Sequence, residues 1–239
     1  MPTFLQRKVM TIQLYDLAGA DENLRFSPFC WRVHMALAHQ DLAYESIPWR
    51  FSDKAQIAVT GQGAVPVIVD GDTMIHDSWV IANYLEEKYP QRPLFGNAAA
   101  RGAALMLKFW TERTLHPLLV RILIMDIYGA LHENDRAYFR ESREKRFGIT
   151  LEQLGADPDK HREQFGTALE PLRLTLNEQA FIGGAAPAFA DYIVFGALQW
   201  ARCISPVKLL AEHDPVYAWR KRLLDCFDGM PGNALAREI

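Results

Sequence analysis

Polar and apolar residues alternate near the start of the chain. Met10, Ile12 and Leu14 interleave with Thr11, Gln13 and Tyr15, a period of two that predicts a half-buried strand. After a polar stretch from Gly19 to Arg25 the period lengthens. Cys30, Val33 and Leu37 fall at i, i+3 and i+7 with Ala36 beside them, so a helix opening at Ser27 turns one face inward. Tyr44 to Ile47 predicts a second strand, ended by Pro48. Val67-Ile68-Val69, Asp70-Gly71 and Thr73-Met74-Ile75 predict a hairpin, with Asp-Gly supplying the positive φ values of its turn. Val80, Ile81, Tyr84 and Leu85 then recur at helical spacing as far as Tyr89. The order is strand, helix, strand, irregular stretch, strand, strand, helix. A crossing helix makes the first two strands parallel, and the hairpin completes a mixed sheet.

Beyond Pro90 and Pro93 no strand pattern follows, and from about Asn97 the periodicity is helical. Phe165, Leu169, Leu172 and Leu176 form one apolar stripe. Val216, Trp219, Leu223 and Phe227 form another, opened by Asp214-Pro215 as cap and first helical residue. Between them, Tyr192 to Trp200 is apolar on nearly every side, as a central buried helix should be. The boundary falls near residues 90 to 96. A small α/β domain over residues 1–92 precedes a larger all-α domain over residues 93–239.

Apolar residues make up 49% of the chain and charged ones 23%, which predicts a soluble globular protein. A net charge of -3 argues against a nucleic-acid or anionic-membrane partner. The basic runs Arg220-Lys221-Arg222 and Arg140 to Arg146 read as solvated helix faces. The first ten residues lack the apolar core of a signal peptide, and no uncharged run is long enough for a membrane span. Cys30, Cys203 and Cys226 are too scattered for a disulfide framework, so a cytoplasmic setting with reduced thiols is expected. His34 and His39 do not share a helical face, and no Cys/His cluster has ligand spacing, so no metal is expected. Neither a phosphate loop nor a Gly-x-Ser-x-Gly elbow occurs.

The chemistry concentrates in three places. Ser27-Pro28-Phe29-Cys30-Trp31-Arg32 stands where strand gives way to helix. Ser27 either caps that helix or donates its hydroxyl to a bound thiolate, aided by the free N–H groups of the helix start. Lowering a thiol pKa by two units takes ~2.7 kcal/mol, most of which one charge-assisted hydrogen bond supplies. Cys30 shares the apolar face of Val33 and Leu37 and reads as core; Ser-x-x-Cys also lacks the first sulfur that dithiol exchange requires. Val65-Pro66 precedes the hairpin, and a cis bond there would free the Val65 backbone to pair with an extended peptide. Asp77-Ser78 caps the second helix, or binds a carboxylate at its N-terminus. Lys54 is either a plain surface cation or the partner of a second carboxylate.

Together these residues resemble a thioredoxin-like domain of a cytosolic glutathione transferase, and the resemblance runs from residue 10 to about residue 232. The Ser-Pro-Phe block with Arg32-Val33-His34-Met35-Ala36-Leu37-Ala38 is similar to the serine-type activating segment. Val65-Pro66-Val67-Ile68-Val69 and Asp77-Ser78-Trp79-Val80-Ile81-Ala82 are similar to the two glutathione-holding segments, and Phe189-Ala190-Asp191-Tyr192 to the start of the family's buried helix. More narrowly the chain resembles the bacterial β-etherase-like branch, which cleaves lignin-derived β-aryl ethers. The features shared with it include Trp31-Arg32, Tyr84-Leu85-Glu86-Glu87-Lys88-Tyr89-Pro90, Ser142-Arg143-Glu144, Leu169-Glu170-Pro171 and Phe227-Asp228-Gly229.

The resemblance implies that Ser27 stabilises the glutathione thiolate. It also implies that Val65, with Pro66 cis, pairs with the cysteinyl unit, that Asp77 and Ser78 hold the γ-glutamyl end, and that Lys54 meets the glycyl carboxylate. One departure is Ala188, where the family has a Ser or Thr cap three residues before Asp191; a missing cap costs ~0.5–2 kcal/mol. A small hydrophobic or aromatic electrophile would lie between the Ser27–Phe29 loop and the first long helix of the second domain. Met106, Trp110, Arg113 and Pro117 recur there at i, i+4, i+7 and i+11, with Arg121, Met125 and Tyr128 as further candidates. Plain inter-helix packing is the competing account of that face, and Pro117 should kink the helix. The bound thiolate would displace a leaving group, a phenolate in the β-ether case, with Arg113 stabilising it. A two-fold homodimer is implied by the family. The rival functions are a non-enzymatic glutathione- or ligand-binding protein on the same scaffold and a Cys30-based thiol reductase.

Overall fold

The computed structural model describes residues 11–238. Met10, expected in the first strand, lies outside them. Strand β1 (Ile12–Leu17) leads through α1 (Pro28–His39) to β2 (Tyr44–Trp49), which pairs parallel to β1. A 3-10 segment (Phe51–Thr60) precedes β3 (Val67–Asp70), β4 (Thr73–His76) and α2 (Ser78–Lys88). The four strands lie in the order β2-β1-β3-β4, with β3 antiparallel to both neighbours. This is a thioredoxin-like mixed sheet, and all further described helices belong to the second domain.

Two strand details differ from the sequence expectation. β2 runs through Pro48 to Trp49, because it is an edge strand and an edge residue without an N–H breaks no ladder. In the hairpin Asp70 belongs to β3, opposite Thr73, and Gly71 alone of the Asp-Gly pair has positive φ, at 63°. The Asp70 carboxylate is spent instead on α2, accepting from Tyr84, Lys88 and Tyr89 at 2.6–3.0 Å.

The second domain begins with α3 (Ala98–Trp110), which passes through a π-turn (Thr111–Leu115) into α4 (His116–Ala130). Then come α5 (Glu133–Phe147), α6 (Leu151–Leu154), α7 (Pro158–Ala168), α8 (Glu170–Glu178), α9 (Phe189–Ile204) and α10 (Pro215–Leu224). The Phe165-to-Leu176 stripe is shared by two helices, broken at Leu169 before Pro171. Phe227 lies beyond α10, where φ turns positive. The basic runs are not plain solvated faces. Arg220 is buried in a bidentate pair with Glu238 at 2.6 and 2.8 Å, and Arg222 lies over the Phe181 ring.

Helix α9 is the spine of the molecule. Nearly every one of its side chains is buried, from Phe189 to Ile204, and a buried Leu, Phe or Ile is worth ~1.5–3 kcal/mol. Ala188 offers no side-chain cap; Asp191 does that work from inside the helix. Its carboxylate accepts from the N–H groups of Ile182, Gly183 and Ala188 and from Trp219 Nε1, at 2.7–3.0 Å. Burial pushes the Asp191 pKa up, against the pull of those four donors.

Opposite α9 lies α1, at very short range. A Cβ on Gly196 would stand 2.3 Å from the Pro28 carbonyl oxygen, closer than any side chain tolerates. Gly196→Ala is therefore expected to force the start of α1 away and to cost ~1–3 kcal/mol. A urea-unfolding midpoint equal to that of the native protein would show that the contact has slack.

Candidate functional site

A cavity of about 540 Å³ opens between the two domains. Its first-domain wall is the end of β1, the Phe26–Phe29 loop, Trp49, Phe51 and Ala64-Val65; its second-domain wall is α4, α5 and Trp200 of α9.

Ser27 lies on this wall, buried to 4% exposure, as the cap of α1. Its Oγ accepts from the Cys30 N–H at 3.3 Å. A serine hydroxyl has two lone pairs and one proton, so this bond orients the group and leaves the proton to donate. Capping and donation are thus compatible. Cys30 is fully buried, and burial, then the Asp16 carboxylate, push its thiol well above the usual range. A nucleophilic cysteine needs the opposite shift, so the reductase reading loses its residue.

Asp16 was not singled out from sequence. It continues the inward face of β1 after Ile12 and Leu14, and His34 of α1 meets it at 2.7 Å while bonding Tyr44 at 2.8 Å. This polar cluster fastens α1 to the sheet directly beneath the Ser27 turn.

The Val65–Pro66 bond is cis. The Val65 N–H and C=O have no hydrogen-bond partner among the described residues, so both are available to an added extended strand. Asp77 caps α2 by accepting from Trp79 and Val80, and holds φ at 70°, a costly value for a residue with a side chain. Ser78 Oγ, in a residue only 2% exposed, has no partner among the described residues. Pro66, Asp77, Ser78 and Lys54 do not line the cavity itself. Lys54 reaches across the domain boundary, its ammonium 3.7 Å from the Tyr138 ring centre.

The helical wall is only partly the expected one. Phe29, Arg113 and Pro117 line the cavity; Met106, Trp110 and Arg121 do not, nor do Met125 and Tyr128. The cause is the π-turn. Pro117 cannot donate to the carbonyl four residues back, and its ring would crowd that carbonyl. Instead of a simple kink the helix widens, with the His116 N–H bonding Thr111. The extra residue in one turn rotates everything upstream, so Met106 is 67% exposed on another face. Downstream, the cavity arc is His116, Val120, Ile124 and Ile127, and Arg121, Met125 and Tyr128 fall past its edge.

Glu112 and His116 were missed in the sequence, although the i, i+4 rhythm from His116 through Val120 and Ile124 carried the signal. Arg32, 1% exposed, bonds Glu112 at 2.7 Å across the domain boundary, and Lys108 bonds its other oxygen at 2.9 Å. Burial pushes Glu112 up, but Arg32 and Lys108 outweigh it and hold its pKa below the usual value. His116 sits edge-on to Phe29 and Trp200; burial and then Arg32 press its pKa down to about 3. Arg143 and Arg146 of α5 also line the cavity, inside a run expected to be solvated.

Among the described residues no group of three or more His, Cys, Asp and Glu side chains could hold a metal, and no helix is long and apolar enough to cross a membrane.

A thioredoxin-like domain whose serine-capped helix faces a cavity closed by a helical domain defines a two-domain architectural class. Residues 23–93 match the family described as Glutathione S-transferase, N-terminal domain, and residues 104–220 the one described as Glutathione S-transferase, C-terminal domain. The chain belongs to the glutathione S-transferase family. Among curated relatives, Glutathione S-transferase Z1 of Arabidopsis thaliana is 44% identical over 68 residues, 26% of this chain and 31% of that one. The match to Glutathione S-transferase omega-1 of Mus musculus is longer but weaker, 22% over 82% of this chain and 72% of the relative. The chain thus spans about a third of the length of the first of these relatives. Among solved structures, a glutathione S-transferase of Ceriporiopsis subvermispora in complex with glutathione shares the fold. Its TM-score is 0.80 and its identity 22%, over 92% of this chain and 97% of that one.

Two outcomes follow from the buried groups. Because the His116 pKa lies at about 3 in the fold and near 6.5 unfolded, protons bind the unfolded chain first. Stability should fall as pH drops below ~6.5, by up to ~1.4 kcal/mol per pH unit from this group. His116→Gln should lose less between pH 7 and pH 5 in urea titrations; equal losses would mean that the imidazole protonates in place. Thiol labelling of the folded protein should spare Cys30 and Cys203 and reach only half-buried Cys226. Prompt labelling of Cys30 would reopen the reductase reading.

Proposed function

We propose that the chain is a glutathione transferase, with residues 1–92 holding glutathione and residues 93–239 supplying the pocket of the second substrate. The observation that carries this is the Ser27 hydroxyl, oriented by the Cys30 N–H at the start of α1 and facing a cavity shared by both domains. In this reading Ser27 donates to the glutathione sulfur, and the helix N-terminus favours its charged form. The free N–H and C=O of Val65, beside Pro66, pair with the cysteinyl unit. Asp77 and the unpartnered Ser78 hydroxyl receive the γ-glutamyl end, and Lys54, moving off the Tyr138 ring, meets the glycyl carboxylate. The similar proteins, glutathione S-transferases with one solved in complex with glutathione, support the same co-substrate.

The thiol proton passes to solvent. The sulfur lone pair then forms a bond to an electrophilic carbon, and the leaving group departs with the electrons of the bond it breaks. Holding both partners in one cavity supplies proximity. For a β-aryl ether the leaving group is a phenolate, and Arg113, on the cavity wall beside Phe29 and Pro117, stabilises it. The protein would act in the cytoplasm as a homodimer.

An ultraviolet difference titration of bound glutathione tests the central claim. The native protein should show thiolate below the pKa of the free thiol. Ser27→Ala should raise that pKa by about one to two units and lower kcat/KM about ten- to a hundredfold. Glutathione that binds without any thiolate near neutrality would instead favour a ligand-binding protein. In Arg113→Ala, phenol release from a β-aryl ether should slow; an unchanged rate removes that role.

A further inference from the structure

The cavity lining combines apolar and aromatic side chains with three arginines, and its charges are not balanced. Arg113 enters from the π-turn, and Arg143 and Arg146 enter from α5. Glu112 is the one carboxylate among the lining residues, and both its oxygens are taken by Arg32 and Lys108. None of the three lining arginines forms an ion pair among the described residues. This is not a general property of α5: one turn away, Arg140 is paired to both Glu144 and Glu152.

Arg143 is held in place without being neutralised. Its guanidinium carbon lies 4.6 Å from the Phe139 ring centre and 5.4 Å from that of Phe51, and among the described residues its side chain makes one hydrogen bond, to Ser142 Oγ at 2.9 Å. Aromatic packing fixes a guanidinium while leaving its fork of donors free for a carboxylate. Burial works against the charge and outweighs the favourable field of Tyr138, and Arg146 adds to the lowering of the Arg143 pKa, so an incoming anion would offset both unfavourable effects. Trp49, Ile124 and Trp200 line the same cavity and offer apolar surface that suits an aromatic ring.

Resting on the reading of this cavity as the second-substrate pocket, we propose that the electrophile it selects is an aromatic acid. Its ring lies on that apolar surface and its carboxylate is gripped by Arg143 and Arg146, with Arg113 adding to the same field. Charge, rather than hydrophobicity alone, is then the basis of selection.

A chloronitrobenzoate and its uncharged carboxamide are matched probes. Glutathione sulfur replaces chloride on the ring carbon, and chloride leaves with the bonding pair. The native protein should favour the benzoate by about tenfold or more, both in kcat/KM and in the Kd read from quenching of Trp49 and Trp200. The preference should shrink with added salt and fall toward one in the double variant Arg143→Gln/Arg146→Gln, while the Kd for glutathione stays within about twofold. Equal handling of both probes by the native protein overturns the proposal, as does a double variant that weakens glutathione binding but keeps the preference. If the variant does not fold, the salt dependence of the native ratio decides. Charge-selective binding with no thioether formed leaves the anion site standing and removes the transferase reading; turnover without charge selectivity does the reverse.

Discussion

The site depends on how closely one helix start approaches another helix. α1 can present Ser27 to the cavity only because Gly196 lets the Pro28 carbonyl lie against the backbone of α9. α9 in turn is fixed by Asp191, whose four donors come from the preceding loop, from its own cap and from Trp219 of α10. A small residue at the crossing and a buried carboxylate at the helix start therefore define the position of a hydroxyl in the other domain. Dense packing passes such displacements on rather than absorbing them.

A second set of buried polar groups holds α1 in place. Asp16, His34 and Tyr44 tie α1 to the sheet, and Arg32 with Glu112 ties it to the π-turn. Buried polar groups of this kind contribute little net stability, because desolvation offsets much of their attraction. What they fix is direction. The two domains cannot slide past one another without stranding the Arg32 charge, which is almost wholly out of water.

The succession of strands and helices, the hairpin, the central helix and Asp214 as a cap were all legible, because each rests on a local period or on one residue's chemistry. Ser27 as the cap of α1 was legible too, while Val65 drew its meaning from the resemblance rather than from the dipeptide itself. Asp16 was not legible, since its meaning depends on His34 arriving from the next element. Met106 and Trp110 were misplaced because a period of 3.6 was carried across a turn that does not obey it; Pro117 was the sign, read as a kink instead of a widening. Arg143 looked like any helix-surface arginine. Only the fold brings Phe51 of the first domain over it.

That widened turn has a further consequence. Because it sets α3 and α4 out of phase, a single continuous rod turns one apolar face outward, at Met106 and Phe109, and a different one inward, at Val120 and Ile124. On a regular helix Met106 would stand in line with Pro117; the extra residue takes it out of that line, so the cavity face of α4 does not continue along α3. The inner wall can be rewritten for new ligands while the outer face keeps its composition, and the reverse also holds. The unusual turn thus lets one rod face solvent with one apolar side and the cavity with another.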